Sequence, residues 1–156
     1  MAVWQRGNAP TCFNKLIRII MDTNQKGVLT ELEVMLYITK LGYTVSVPYG
    51  NKERYDQIWD INNKLYRVQV KTARWRDENH KAFIFKCRSY SNGVQHRYTK
   101  DEIDFFATMW DGKCYLVPVE QCSVEKALWL EPSAAKNPNG AQMAQQYEVE
   151  EVLKTL

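Results

Sequence analysis

The sequence predicts an α+β or α/β domain built around one mixed sheet. Three observations predict it: a helix-spaced segment near the start, several short β-branched and aromatic runs after it, and a size suited to one core. With 156 residues, 45% of them hydrophobic and 12% aromatic, the chain fits a single domain. The helix is written in "DTNQKGVLTELEVMLYITKLG", where Asp22, Thr23 or Asn24 offers an N-cap and Gly42 a stop. Steps of about 100° from Val28 set Val28, Leu32, Met35 and Leu36 as the buried stripe. On the same wheel Glu31 falls on the inward flank and Glu33 on the outward one. A carboxylate on an apolar flank is costly unless it is paired, hydrogen-bonded or bound to a cation.

The strands are expected in "YTVSVP", "YDQIWDI", "KLYRVQVKTA", "AFIFKCRSY" and "KCYLVPV". "YTKDEIDFFATMW" reads as an intervening segment, with Asp101 and Glu102 opening a short helix. From "EPSAAKNPNGAQ" onward periodicity is lost and a long surface loop is expected. No internal repeat is visible, and no run approaches the roughly 18 apolar residues of a membrane span. The opening segment lacks the pattern of a secretory signal. Cys12, Cys87, Cys114 and Cys122 have neither CxxC spacing nor histidine pairs nearby, which argues against zinc and for reduced thiols in a cytoplasmic protein.

Net charge is +3, but it is unevenly spread. Lys64 to Lys100 holds ten basic residues against Asp77 and Glu78, a local excess of eight that leaves the remainder at −5. Such a stretch is the footprint expected of a nucleic-acid surface, because Lys and Arg that neutralise phosphates supply most of the non-specific affinity.

The chemistry is concentrated in "YRVQVKTA". If Asn62 and Asn63 form a two-residue turn, the strands on either side pair so that Asp56 stands opposite Gln69. Alternation then puts Gln69 and Lys71 on one face and Val68 and Val70 on the other. An odd-numbered turn would break the arrangement. An acid, an amide oxygen and a lysine at one point, with Glu31 near, suit phosphodiester hydrolysis. Mg²⁺ takes oxygen ligands from one or two carboxylates, and a lysine can hold the attacking water and offset charge on phosphorus.

Taken in order, "KGVLTELEV", "GYTVSVPYG", "RYDQIWD" and "YRVQVKTA" resemble the PD-(D/E)XK nuclease superfamily, and within it the bacterial homing endonucleases associated with group I introns. "IDFFATMW", "CYLVPVE" and "LWLEP" are similar to its downstream strands and helix. The resemblance implies a restriction-endonuclease-like core, a central mixed sheet flanked by helices. It implies that Glu31 supports the site, that Asp56 is the principal metal ligand with Gln69 and Glu31 beside it, and that Lys71 is the catalytic lysine. The metal implied is Mg²⁺ or another divalent cation such as Mn²⁺. Two positions depart from the superfamily pattern: Tyr55 stands where a proline is usual, and Gln69 where an acid is usual. The homing subset shares the glutamine.

DNA contacts are expected from Arg74 and Arg76 just beyond the site, from Lys86 and Arg88 on one face of "AFIFKCRSY", and from His96 and Arg97 beside Tyr98. The expected protein is a sequence-specific endonuclease of double-stranded DNA acting in intron homing. It works as a homo-oligomer, dimer or tetramer, with no membrane and no small-molecule substrate. Residues 1–23 are expected to be a leader and 24–156 the nuclease domain. A Holliday-junction-resolvase-like nuclease and an inactive DNA-binding protein of the same fold are the alternatives.

Overall fold

The computed structural model describes residues 21–50, 52–132 and 142–156. Helix α1, Thr23–Lys40, starts at Asp22, whose carboxylate accepts from Gln25 N at 2.8 Å while Asp22 N donates to Gln25 Oε1 at 3.1 Å. This reciprocal box satisfies two donors that a helix start leaves unpaired. Gly42, with φ at 91°, turns the chain out of the helix, a left-handed conformation that an added Cβ would strain.

Ten strands follow: β1 (Thr44–Ser46), β2 (Gln57–Ile61), β3 (Lys64–Val70), β4 (Arg74–Trp75), β5 (Ala82–Lys86), β6 (Arg88–Ser91), β7 (Val94–Arg97), β8 (Phe105–Trp110), β9 (Lys113–Pro118) and β10 (Glu125–Trp129). A short helix α2, Val149–Leu153, comes last. The main sheet runs β1-β2-β3-β8-β9, mixed because β3 and β8 are parallel while the other neighbours are antiparallel. A smaller sheet runs β10-β5-β4, and among the described residues β6 pairs only with β7. Among the described residues no helix is long and apolar enough to cross a membrane.

Alternation along the main sheet divides the core into two layers. Trp59, Ile61, Tyr66, Val68, Val70, Phe105, Ala107 and Leu116 face Val34 and Ile38 of α1 and Val149 and Leu153 of α2. On the other side Phe106, Tyr115 and Val117 meet Phe83, Phe85 and Leu128 of the small sheet. The central mixed sheet with helices packed against it is the core expected, the described helices lying with the first layer and a second, smaller sheet with the other.

Three expectations about single elements need correction. The buried face of α1 is Thr30, Val34 and Ile38, whereas Val28, Leu32 and Leu36 are 55–56% exposed. The helix carries two rows at i, i+4 spacing, and the row with the smaller, branched side chains is the one that lies flat on the sheet. Phe105–Trp110 is a strand of the main sheet, and no helix forms at Asp101 and Glu102. A turn closed by Glu102 N and Ile103 N on Thr99 O, at 3.1 and 3.0 Å, precedes it. The tail after residue 141 is not loop throughout, since Val149 and Leu153 enter the core through α2. The predicted loop otherwise falls on residues 133–141, outside the described residues, as does nearly all of the predicted leader. Cys87, Cys114 and Cys122 are free thiols and buried, and Cys12 also lies outside the described residues.

Candidate active site

The β2–β3 hairpin has the register that a two-residue turn dictates: Ile61 pairs with Lys64 and Gln57 with Val68. Asn62 and Asn63 take φ of 55° and 64°, the left-handed pair that matches strand twist and that Asn tolerates. One step beyond the last pair, Asp56 N donates to Val68 O at 3.0 Å, so Asp56 sits across from Gln69. Its Oδ2 accepts from Val70 N at 2.8 Å and from the Gln69 side-chain amide nitrogen. Lys71 follows β3 and extends its parallel pairing with β8 through Lys71 N to Ala107 O at 2.9 Å.

Glu31 reaches this point from α1, and two buried polar residues hold the helix there. Gln57 Nε2 donates to Glu31 O at 2.8 Å while its Oε1 accepts from Trp59 Nε1 at 2.9 Å. The hydroxyls of Thr30 and Thr72 share a hydrogen bond of 2.9 Å. On the helical wheel Glu31 lies about 60° from Val34 and Glu33 about 100°, which is why the inward placement of Glu31 survives the correction to the buried stripe.

The electrostatics are those of two carboxylates short of positive charge. Burial pushes the Asp56 carboxyl above its usual range, against the opposing pull of Val70 N–H, the Lys71 ammonium and the Gln69 amide. Burial also raises Glu31, the Asp56 charge raises it further, and Lys71 opposes both. The structure therefore brings Glu31, Asp56, Gln69 and Lys71 into one field. A divalent cation fits the donor set, which is all oxygen and hence hard. Among the described residues no group of three or more His, Cys, Asp or Glu could hold a metal. Mg²⁺, which keeps several waters and needs one or two carboxylates, matches so sparse a set. Ligation by Gln69 would use Oε1, so the amide must give up the contact that its nitrogen makes with Asp56.

The residues predicted to meet DNA are dispersed. Arg74 pairs with Glu125 at 3.1 Å, and the Arg76 guanidinium lies over the Trp129 ring at 4.9 Å. Lys86 and Arg88 do not share a strand: Cys87, whose N donates to Val124 O at 2.9 Å, separates β5 from β6. In the β6–β7 ribbon Arg88 pairs with Arg97 and Ser89 with His96, so His96 projects from the face opposite to the two arginines. Arg88 donates to Gln95 Oε1 at 2.7 Å, and Arg97 donates to Cys122 O at 3.2 Å.

Sequence reading missed the partner of Lys71. Lys71 Nζ donates to Tyr98 Oη at 3.3 Å, although Tyr98 had been grouped only with His96 and Arg97. It also missed Thr30, Gln57 and Thr72, the residues that set α1 on the sheet. A glutamine at an inward position of "QIWDI" was the available signal.

An acid, an amide and a lysine thus lie at the adjoining ends of β2 and β3 in the mixed sheet. A profile of the PD-(D/E)XK endonuclease family matches residues 21–150, and the chain belongs to that family. Its fold is also that of a solved bacterial homing endonuclease, I-Ssp6803I, with a TM-score of 0.69 over 86% of this chain and 95% of that one, at 20% identity. No curated protein matches in sequence.

Proposed function

We propose that the protein is a metal-dependent, sequence-specific endonuclease of double-stranded DNA, acting in the cytoplasm as a homing enzyme on an intronless target. The convergence of Asp56, Gln69 and Lys71 at one face of β3, with Glu31 near them, carries this reading. That the structural neighbour is a homing endonuclease supports the finer part of it. One such site cuts one strand, so the reading includes a homo-oligomer. It assigns the nuclease domain to residues 24–156 and a leader to 1–23.

Asp56 and the Gln69 carbonyl, with Glu31 near, would hold Mg²⁺ or Mn²⁺. When bound, the ion polarises the phosphoryl oxygens and offsets charge on phosphorus. Lys71 donates to the attacking water and to the oxygens that gain charge in the transition state. Glu31 holds a negative field against Lys71, which keeps the ammonium at the site. The Val70 N–H fixes one Asp56 oxygen, so the carboxylate does not have to be ordered when substrate arrives.

Incubation with Mg²⁺, a randomised duplex library and a synthetic four-way junction tests the reading. Cutting confined to a subset of duplexes is expected. Cutting of the junction regardless of sequence would replace the reading with a resolvase-type nuclease. Binding without cutting would leave a DNA-binding protein of nuclease fold.

A further inference from the structure

We infer that Tyr98 is the positioning residue for Lys71, and that Arg54 ties it to the β6–β7 ribbon so that seating of the ribbon on DNA sets the catalytic lysine. The inference rests on the proposed nuclease reading and names a regulation of the same site.

A lysine side chain has four rotatable bonds and about 2 kcal/mol of rotamer entropy, so something must fix its ammonium. Tyr98 does this from a rigid base. It is 6% exposed, and its ring meets Phe106 edge-on at 5.3 Å and 86°. Phe106 in turn pairs with Gln69 across the parallel β3–β8 junction. The hydroxyl accepts from Lys71 Nζ at 3.3 Å, and the ammonium stands 5.1 Å from the ring centre.

A second cation at this ring is Arg54, whose guanidinium carbon lies 4.1 Å from the ring centre. The same guanidinium donates to Ser89 Oγ on β6 at 2.7 Å, to Arg97 O on β7 at 3.4 Å and to Glu102 Oε1 at 2.9 Å. One side chain thus holds both ribbon strands and the tyrosine. Glu102 is itself fixed by accepting from Thr99 N at 2.9 Å. Tyr98 directly follows β7, and Arg54 lies two residues before Asp56. Any displacement of the ribbon by a duplex is therefore carried by covalent continuity and by one cation to both halves of the site. Sequence recognition would then be expressed in the cleavage step as well as in affinity.

The test uses the full chain with lysines labelled at Cε with ¹³C, the Lys71 signal being assigned by its loss in Lys71→Arg. Tyr98→Phe keeps the ring against Phe106 and Arg54 and removes only the hydroxyl. It should move the Lys71 signal and leave that of remote Lys113 in place. Arg54→Gln should move the Lys71 signal as well, and so should adding a mixed-sequence 30-base-pair duplex to the wild type. On duplexes recovered as cut from the library, Tyr98→Phe should lower the single-turnover constant about tenfold with unchanged Kd, the scale of one hydrogen bond to a charged group. Arg54→Gln combined with Tyr98→Phe should be no slower than the slower single variant. The inference is overturned if Tyr98→Phe leaves the Lys71 signal unmoved, or if it cuts at the wild-type rate, or if affinity falls as much as rate. If the wild type cuts no duplex but the Lys71 signal responds as described, the nuclease reading fails while the Tyr98–Lys71 link stands.

Discussion

Two hairpins in this molecule share a turn and little else. Both β2–β3 and β6–β7 close through two residues with left-handed backbone, Asn62 and Asn63 in one, Asn92 and Gly93 in the other. Both therefore have a fixed register. In the first, Gln57, Trp59 and Ile61 are buried on β2, and β3 gains β8 as a second neighbour. In the second, all four residues of β7 are exposed, and neither strand pairs with another sheet. Local sequence sets which residues face each other, and the neighbours decide whether that facing becomes a rigid site or an adaptable surface. Chemistry needs the former, because catalytic groups must be in place before charge develops. Groove contact tolerates the latter.

The largest effect is expected from a one-residue insertion. A glycine placed between Asn62 and Asn63 would slip the register, exchange the faces of β2 relative to β3, and separate Asp56 from Gln69. Cleavage should be undetectable and the melting temperature should fall sharply. The same insertion between Asn92 and Gly93 should leave the melting temperature nearly unchanged, weaken duplex binding and, through Arg54 and Tyr98, slow cleavage without abolishing it. Equal melting curves for the two insertions would remove the distinction drawn between the hairpins.

Next in size are the site residues. Asp56→Asn and Lys71→Ala should each slow single-turnover cleavage by about 10²- to 10³-fold or more, with duplex affinity retained and the double variant far from multiplicative. Gln69→Leu should be inactive, and Gln69→Glu should keep Mg²⁺ binding or tighten it, as read by calorimetry. Wild-type rates from Gln69→Leu would reduce the glutamine to a polar strand residue.

The basic residues of β5 and of the ribbon should respond more gently. Lys86→Ala and Arg88→Ala should relax preference at particular base pairs by roughly 1–3 kcal/mol each, measured by selection from the duplex library. His96→Ala, on the other face, should relax different positions. A uniform loss across sequences would make all three phosphate contacts, which the slope of affinity against salt would also report.

The smallest effect concerns stability. Because burial holds the Asp56 and Glu31 carboxyls above their usual range, the fold favours their protonated forms. That contribution is complete below the unfolded values, about 4, and is lost as pH rises through the higher folded ones. At neutral pH without metal, Glu31→Gln should therefore raise the melting temperature slightly, the effect being reduced by solvent at this half-buried position. Glu33→Gln should change it less. Mg²⁺ should reverse the order by stabilising the wild type more than Glu31→Gln.

The site was legible where local rules govern it. Asn62 and Asn63 gave the turn, the turn gave the register, and alternation put Gln69 and Lys71 together. Residues whose placement depends on tertiary packing were less legible. Val28, Leu32 and Leu36 have helical spacing as regular as that of Thr30, Val34 and Ile38, and only contact with the sheet distinguishes the rows. "IDFFATMW" has both faces covered, so it lacks the alternation of a half-buried strand and was read as a linker with a helix. Tyr98 lies 27 positions from Lys71, and no spacing rule connects them.

The single parallel pairing of the main sheet, β3 with β8, also gives the site a history in time. Asp56 and Gln69 meet by closing a short loop, an inexpensive and early event for a folding chain. Lys71 joins them in its final setting only after Val68 has found Phe105 across the intervening ribbon and small sheet, a long closure of the kind that slows folding. The Asp56–Gln69 half of the centre is thus local and early, and the lysine half is late. A chain caught between these stages holds Asp56 against Gln69 without the groups that would let it cut.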